Sequence, residues 1–265
     1  MSSKLAGIKA VLFDMDGVIY RENHLLPGVN EMLAYLRESG RAYLFVTNNA
    51  TRTPAMFAGK LTRMGVPATP DQFLGSAEVA AAWLAEQYPQ GGRVQIVGQE
   101  GLYAALFAHG FEAAENPQQA DFVVAGMDIY LTYQKLAAAT LAINHGARFI
   151  GTNADVSFPT EMGETPGAGS ILALLQTATG VAPEIVGKPY PAMFHQAMQR
   201  LGVTPAQTLM VGDRYETDIV GAVELGILTA GVLTGVTSRE RFEQATPPPD
   251  LIVEDLAALL ALWTD

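Results

Sequence analysis

"AVLFDMDGVIYRENHLLPG", residues 10–28, begins with four apolar residues and then runs into Asp14 and Asp16, two carboxylates one residue apart, followed by Gly17. A short apolar run of this kind, ending abruptly in charge, reads as a buried strand whose carboxyl end opens on a loop. The pattern recurs at 41–46, 93–97, 122–126, 148–152, 184–187, 208–212, 228–233 and 251–253, with the first run spanning 8–13. Stretches of helical period separate these runs, among them "GVNEMLAYLRESG", "SAEVAAAWLAEQY", "TYQKLAAATLAINHG", "AGSILALLQTATG", "YPAMFHQAMQRLG" and "TDIVGAVELG". Strands alternating with amphipathic helices predict an α/β fold with a doubly wound, mainly parallel sheet.

Ligands of such sheets bind beyond the carboxyl ends of the strands. Runs near both ends of the chain finish in chemically capable groups: Asp14 and Asp16, "TNN" at 47–49, Lys188, and "GDRYETD" at 212–218. The middle runs finish in "GQEG", "GMD" and "TNAD", whose chemistry is less evident. This asymmetry predicts a catalytic core built from 1–79 and 184–265, with a second α/β domain inserted at 80–183.

Composition narrows the partners. Twenty-seven acidic against 16 basic residues give a formal charge of -11, which opposes contact with a nucleic-acid backbone and favours a small metabolite. With no cysteine, a metal must sit on oxygen or imidazole ligands. The first residues lack a secretory pattern, and the longest uncharged stretch, Thr165 to Pro183, carries three glycines and two prolines and makes a poor membrane span. The expectation is a soluble, cytoplasmic chain with no membrane partner.

Each motif taken singly has a plain structural reading. Asp14, Asp16 and Gly17 can form a turn; "VTNN" can be an Asx turn or helix cap; Lys188 can be a solvated loop residue; and the acids of "GDRYETD" can favour a helix N-terminus. "PGAGS" at 166–170 lacks the GxxxxGK[ST] pattern and reads as a turn into a helix rather than a nucleotide-binding loop. His24, His109, His145 and His195 show no ligand spacing, and Trp83 and Trp263 fall in helical patterns as packing residues.

Together and in this order, "DMDGVIY", "VTNNATRT", "GKPYP" and "GDRYETDIVGA" resemble the four motifs of the haloacid dehalogenase-like hydrolases, specifically the NagD-like, p-nitrophenyl phosphatase branch (subfamily IIA). The segments "AGMDIYLTYQKL", "TNADVSFPTEMGETPGAGSI" and "GVLTGVTS" are also similar to that branch, so the resemblance spans almost the whole chain. It implies a Rossmann-like core with a large inserted cap of the C2 type, and magnesium-dependent hydrolysis of small phosphomonoesters. Sugar, nucleotide and aryl phosphates are the expected substrates.

The resemblance also assigns roles. Asp14 is the nucleophile that carries an aspartyl-phosphate, and Asp16 is the general acid/base. Magnesium is held by the carboxylate of Asp14, the main-chain carbonyl of Asp16 and the carboxylate of Asp213, with Asp218 supporting through water or hydrogen bonds. Such a cation answers the repulsion between clustered carboxylates. Thr47, Asn48, Asn49 and Lys188 bind the phosphate. Asn153, Asp155 and Phe158 are the cap's candidates for substrate choice. The pyridoxal phosphatase branch has a histidine where this chain has Phe158, which argues against pyridoxal phosphate. Caps of this family also mediate dimers, which makes a homodimer the candidate assembly.

Rival readings come from three other classes, of which the core motifs leave only the last open. A receiver-type signalling domain gathers similar residues but is about half as long. A non-catalytic relative would have lost Asp14 or Asp16, and both are present. A phosphotransferase or phosphomutase differs only in which hydroxyl accepts the phosphoryl group.

Overall fold

Ala10–Phe13 forms a strand buried along its whole length, as its run of β-favouring apolar residues dictates. It lies inside a six-stranded sheet of the computed structural model, which describes residues 3–160 and 163–264. Reading across the sheet, the order is Leu251–Val253, Leu228–Val232, Thr208–Gly212, Ala10–Phe13, Ala42–Thr47 and Phe73–Gly75. The first strand pairs in parallel with both neighbours, Phe13 lying opposite Val211 on one side and Phe45 on the other. That register carries the residues that follow Phe13, Phe45 and Val211 to one edge of the sheet.

The described residues divide into two compact units. The first comprises residues up to Thr47, Ala58–Leu74 and the residues from Met193 onward; the second comprises Asn48–Phe57 and Gly75–Ala192. In the first unit Phe13, Tyr43, Phe45 and Phe73 build an aromatic row, with ring centroids 5.0 to 6.4 Å apart. The helix Val29–Glu38 buries Val29, Met32, Leu33 and Leu36, an i, i+3, i+4, i+7 stripe. The helix Leu256–Thr264 holds Trp263 at 5.9 Å from Tyr35, and the Arg41 guanidinium lies over both rings.

The second unit has a five-stranded sheet in the order Glu184–Ile185, Arg148–Gly151, Phe122–Ala125, Gly92–Val97 and Phe111–Ala113, every pairing parallel. Ala139, Ala142 and Ile143 from the helix Tyr133–Asn144, with Ile171, Leu172 and Leu175 from Ala168–Thr179, pack onto Val97, Val123 and Ala125. "PGAGS" does turn into this last helix. Gly169 donates its N–H to the Asp155 carbonyl at 2.8 Å, and a Cβ there would come within 2.4 Å of the Ala154 carbonyl oxygen. The glycine is needed because the helix start touches main chain.

Every strand expected from the sequence is present, with ends within two residues of those read there. The sequence reading did not resolve Phe73–Gly75, Phe111–Ala113, or two antiparallel hairpins, Tyr20–Arg21 with His24–Leu25 and Ser157–Thr160 with Gly163–Pro166. Runs of two to four residues are too short to carry a period to read. Glu161 and Met162, within the quoted "TNADVSFPTEMGETPGAGSI" segment, lie outside the described residues. All four histidines are exposed.

Candidate active site

The sheet edge explains why Asp14 and Asp213 meet. Asp14 is the first residue after its strand, and its N–H donates to the Val211 carbonyl at 2.9 Å, extending the ladder by one bond. Asp213 follows the neighbouring strand Thr208–Gly212. One carboxylate oxygen from each of Asp14, Asp213 and Asp218 falls within 4.8 Å of the others, with Asp14 half-buried and the other two buried. Asp218 reaches this point from a single π-helical turn, Tyr215–Ile219, at the start of the helix expected there. Such widened turns are frequent at functional sites.

Main-chain donors hold both buried acids. Val236 N–H donates to Asp213 Oδ2 at 2.8 Å, and Arg214 N–H donates to Asp218 Oδ2 at 3.0 Å. Two glycines make the room: a Cβ on Gly235 would lie 1.9 Å from Asp213 Oδ2, and one on Gly212 would lie 2.1 Å from Asp218 Cβ. Thr234 ties the same loop to the first strand's turn, its hydroxyl donating to the Gly17 carbonyl at 2.5 Å. Sequence reasoning missed Gly235 and Val236 as parts of the site. The signal was a glycine just past an apolar run, in "GVLTGVTS", without a charged residue to mark it.

Asp16 sits in a tight turn. Met15 O accepts from the N–H groups of Val18, Ile19 and Tyr20, and Gly17, at φ +84°, donates to the Tyr20 carbonyl at 2.8 Å. A positive φ of this size favours glycine, and it lets the chain reverse directly after Asp16. Thr47, buried, ends the strand Ala42–Thr47 at the edge that also carries Asp14.

In the second unit, Asn48, Asn153, Asp155 and Lys188 form one polar network. Asn48 Oδ1 accepts from Lys188 N–H at 2.9 Å, while Asn48 Nδ2 donates to Lys188 O at 3.0 Å and to Asp155 Oδ2 at 3.2 Å. Asn48 O accepts from Ser76 Oγ at 2.6 Å and from Asn153 Nδ2 at 2.7 Å. Asn153 Oδ1 accepts from Asp155 N–H at 3.1 Å. Asn49 Oδ1 accepts from both the N–H and the hydroxyl of Thr51, the Asx turn that "VTNN" suggests. Lys188, far from the solvated loop lysine of the plain reading, is buried, and the peptide joining it to Pro189 is cis. Phe158 is half-buried on the hairpin, paired with Thr165.

Three gathered carboxylates repel unless a cation joins them, and an all-oxygen donor set at the mouth of a parallel sheet suits a hard divalent ion. The family model for haloacid dehalogenase-like hydrolase matches residues 11–112, and a second, for HAD-hydrolase-like proteins, matches 185–259. The acid sugar phosphatase of Staphylococcus saprophyticus is 40% identical over 248 residues, covering 94% of this chain and 95% of its own length.

The chain belongs to the haloacid dehalogenase-like hydrolases.

Two solved structures bear the same likeness. The 4-nitrophenylphosphatase of Thermotoga maritima superposes with a TM-score of 0.92 at 33% identity, over 97% of this chain and 98% of that one. A glycerol phosphate phosphatase of Mycobacterium tuberculosis, in complex with magnesium, gives 0.91 at 38% identity, over 98% and 78%. The Rossmann-like core expected from the sequence is therefore the fold of this hydrolase, and the enzyme is a phosphatase of the NagD-like branch. Among the described residues, no helix of this hydrolase is long and apolar enough to cross a membrane.

Proposed function

We propose that the enzyme hydrolyses small phosphomonoesters through an aspartyl-phosphate on Asp14, with magnesium as its cofactor. The observation that carries this reading is the Asp14, Asp213 and Asp218 cluster, three carboxylate oxygens within 4.8 Å of one another at the carboxyl end of the central strands. The ion would be held by the Asp14 carboxylate, the Asp16 main-chain carbonyl and Asp213, with Asp218 supporting from behind. Bound there, magnesium supplies Lewis-acid stabilisation of the phosphoryl oxygens.

In this mechanism an Asp14 carboxylate oxygen attacks phosphorus as the bond to the ester oxygen breaks. Asp16 gives its proton to that leaving oxygen, then takes one from the water that attacks the aspartyl-phosphate, so that inorganic phosphate leaves and both acids return to their starting states. Charge on the transferring group falls on its equatorial oxygens. Thr47 Oγ1 and the 48–49 segment donate hydrogen bonds to it, and Lys188 supplies a compact positive charge.

The second domain, taken as residues 80–183, acts as a cap, with Asn153, Asp155 and Phe158 in the segment that would select the leaving group. The names of the relatives support sugar, glycerol and aryl phosphates as the substrate range, and nucleotide phosphates belong to the same chemical class. A homodimer through the cap is the assembly this reading favours.

The test is release of inorganic phosphate from a panel of small phosphomonoesters, with magnesium and with a chelator, by the wild type and by Asp14→Asn. Magnesium-dependent release that the variant lacks supports the mechanism. Release by Asp14→Asn at the wild-type rate overturns it.

A further inference from the structure

Asn48 is buried, and its carboxamide is fully committed. A primary amide has two N–H donors. One of Asn48's goes to Lys188 O at 3.0 Å and the other to Asp155 Oδ2 at 3.2 Å, while its oxygen accepts Lys188 N–H at 2.9 Å. Bonds to both the N–H and the C=O of one residue reproduce what a neighbouring β-strand would offer, so the side chain clasps the main chain of Lys188 as an extra strand would. The clasp is itself anchored, since Asn48 O receives Ser76 Oγ and Asn153 Nδ2. Gly187, next to the clasped residue, makes the approach possible: a Cβ there would lie 2.8 Å from Asn48 Oδ1 and 2.4 Å from Thr152 O.

We infer that the Asn48 side chain positions Lys188 rather than contacting the phosphate, any Asn48 contribution to the cradle coming from its main chain, and that the same side chain couples Lys188 to the 152–155 segment through Asp155. The inference rests on the phosphatase reading, in which the Lys188 amine meets the phosphate. No amide hydrogen of Asn48 remains to donate to a substrate oxygen, whereas a lysine amine on a flexible stem is effective only if its main chain is held. Asn153 has the same character. Its two donors go to Asn48 O and to Thr152 Oγ1 at 3.3 Å and its oxygen accepts Asp155 N–H, which makes it part of the clasp.

A double-mutant cycle on kcat and KM, with inorganic phosphate as a competitive inhibitor, tests this. Groups that act as a unit are non-additive. Asn48→Ala is expected to lower kcat/KM by about 10²-fold and Lys188→Met by about 10³-fold. The double variant should then match Lys188→Met within about threefold, in both kcat/KM and the inhibition constant for phosphate. Most of the Asn48→Ala loss should appear in kcat. If that protein does not fold, Asn48→Asp, which keeps the acceptor for Lys188 N–H but has no donor, runs the same cycle. Multiplicative losses in the double variant would mean that Asn48 acts independently of Lys188, as a phosphate ligand or a general stabiliser, and would overturn the inference while leaving the phosphatase reading intact. A wild type that releases no phosphate from any ester would overturn the reading and the inference with it.

Discussion

Val236 N–H points at Asp213 Oδ2, 2.8 Å away, and the preceding residue, Gly235, is so close to the same oxygen that it has no space for a side chain. The orientation of one acid of the cluster is thus set from the loop after the neighbouring strand, Leu228–Val232, through main-chain atoms. Groups that orient a metal ligand typically contribute 10–100-fold to metal affinity.

Gly235→Ala should therefore weaken magnesium binding by about 10–100-fold. Calorimetric titration of the resting protein with magnesium reads this without turnover, and the magnesium concentration for half-maximal phosphate release should rise in parallel. An unchanged affinity would show that Asp213 shifts without loss.

Asp16→Asn separates proton transfer from ion binding. The ligand expected from Asp16 is its main-chain carbonyl, which the substitution keeps, so magnesium affinity should stay within about threefold while kcat falls by about 10²–10⁴-fold. Aryl phosphates, whose leaving group needs less protonation, should suffer less in the first step than alkyl phosphates. Equal loss across both classes in single-turnover kinetics would count against Asp16 as the acid.

The ion pair of Asp128 with Lys135, at 2.6 Å, has its carboxylate side chain wholly buried and its lysine about one-third exposed. Asp128 also accepts Tyr130 N–H at 2.9 Å, so it fastens the turn that leads into the helix Tyr133–Asn144. Lys135→Met leaves the buried carboxylate with one fewer donor, a loss of about 1–3 kcal/mol in urea-induced unfolding. A change below about 0.5 kcal/mol would show that solvent replaces the lysine freely.

Trp263 is buried, yet among the described residues its Nε1–H has no hydrogen-bond partner. Trp263→Phe removes the unsatisfied donor and opens a small cavity, two opposing effects of about 1–3 kcal/mol each, so the net change should be within about 1 kcal/mol. Trp263→Ala should cost about 3–5 kcal/mol. Thermal melting of the pair checks the contrast.

Much of this was written locally in the chain. Runs such as "AVLF" and "TLMVG" are buried on both faces of a parallel sheet, and a near-continuous apolar run announces that state without reference to anything distant. Asp14 and Asp213 could be marked because the rule that ligands lie beyond the carboxyl ends of strands converts a position along the chain into a position in space. The parallel register then brings them together, as that rule requires.

Only tertiary structure decided how the supporting groups are used. "VTNN" is compatible with an Asx turn, a cap or a phosphate cradle; the fold makes Asn49 the turn and turns the amide of Asn48 onto Lys188, 140 residues away. Gly235 and Val236 serve Asp213 through a missing side chain and a main-chain N–H, neither of which has a residue-type signature. The sequence by itself determined which residues carry charge and which segments become strands, because those are properties of single residues and short periods. Which backbone groups meet that charge depends on chain segments far apart in sequence, and only their packing determines it.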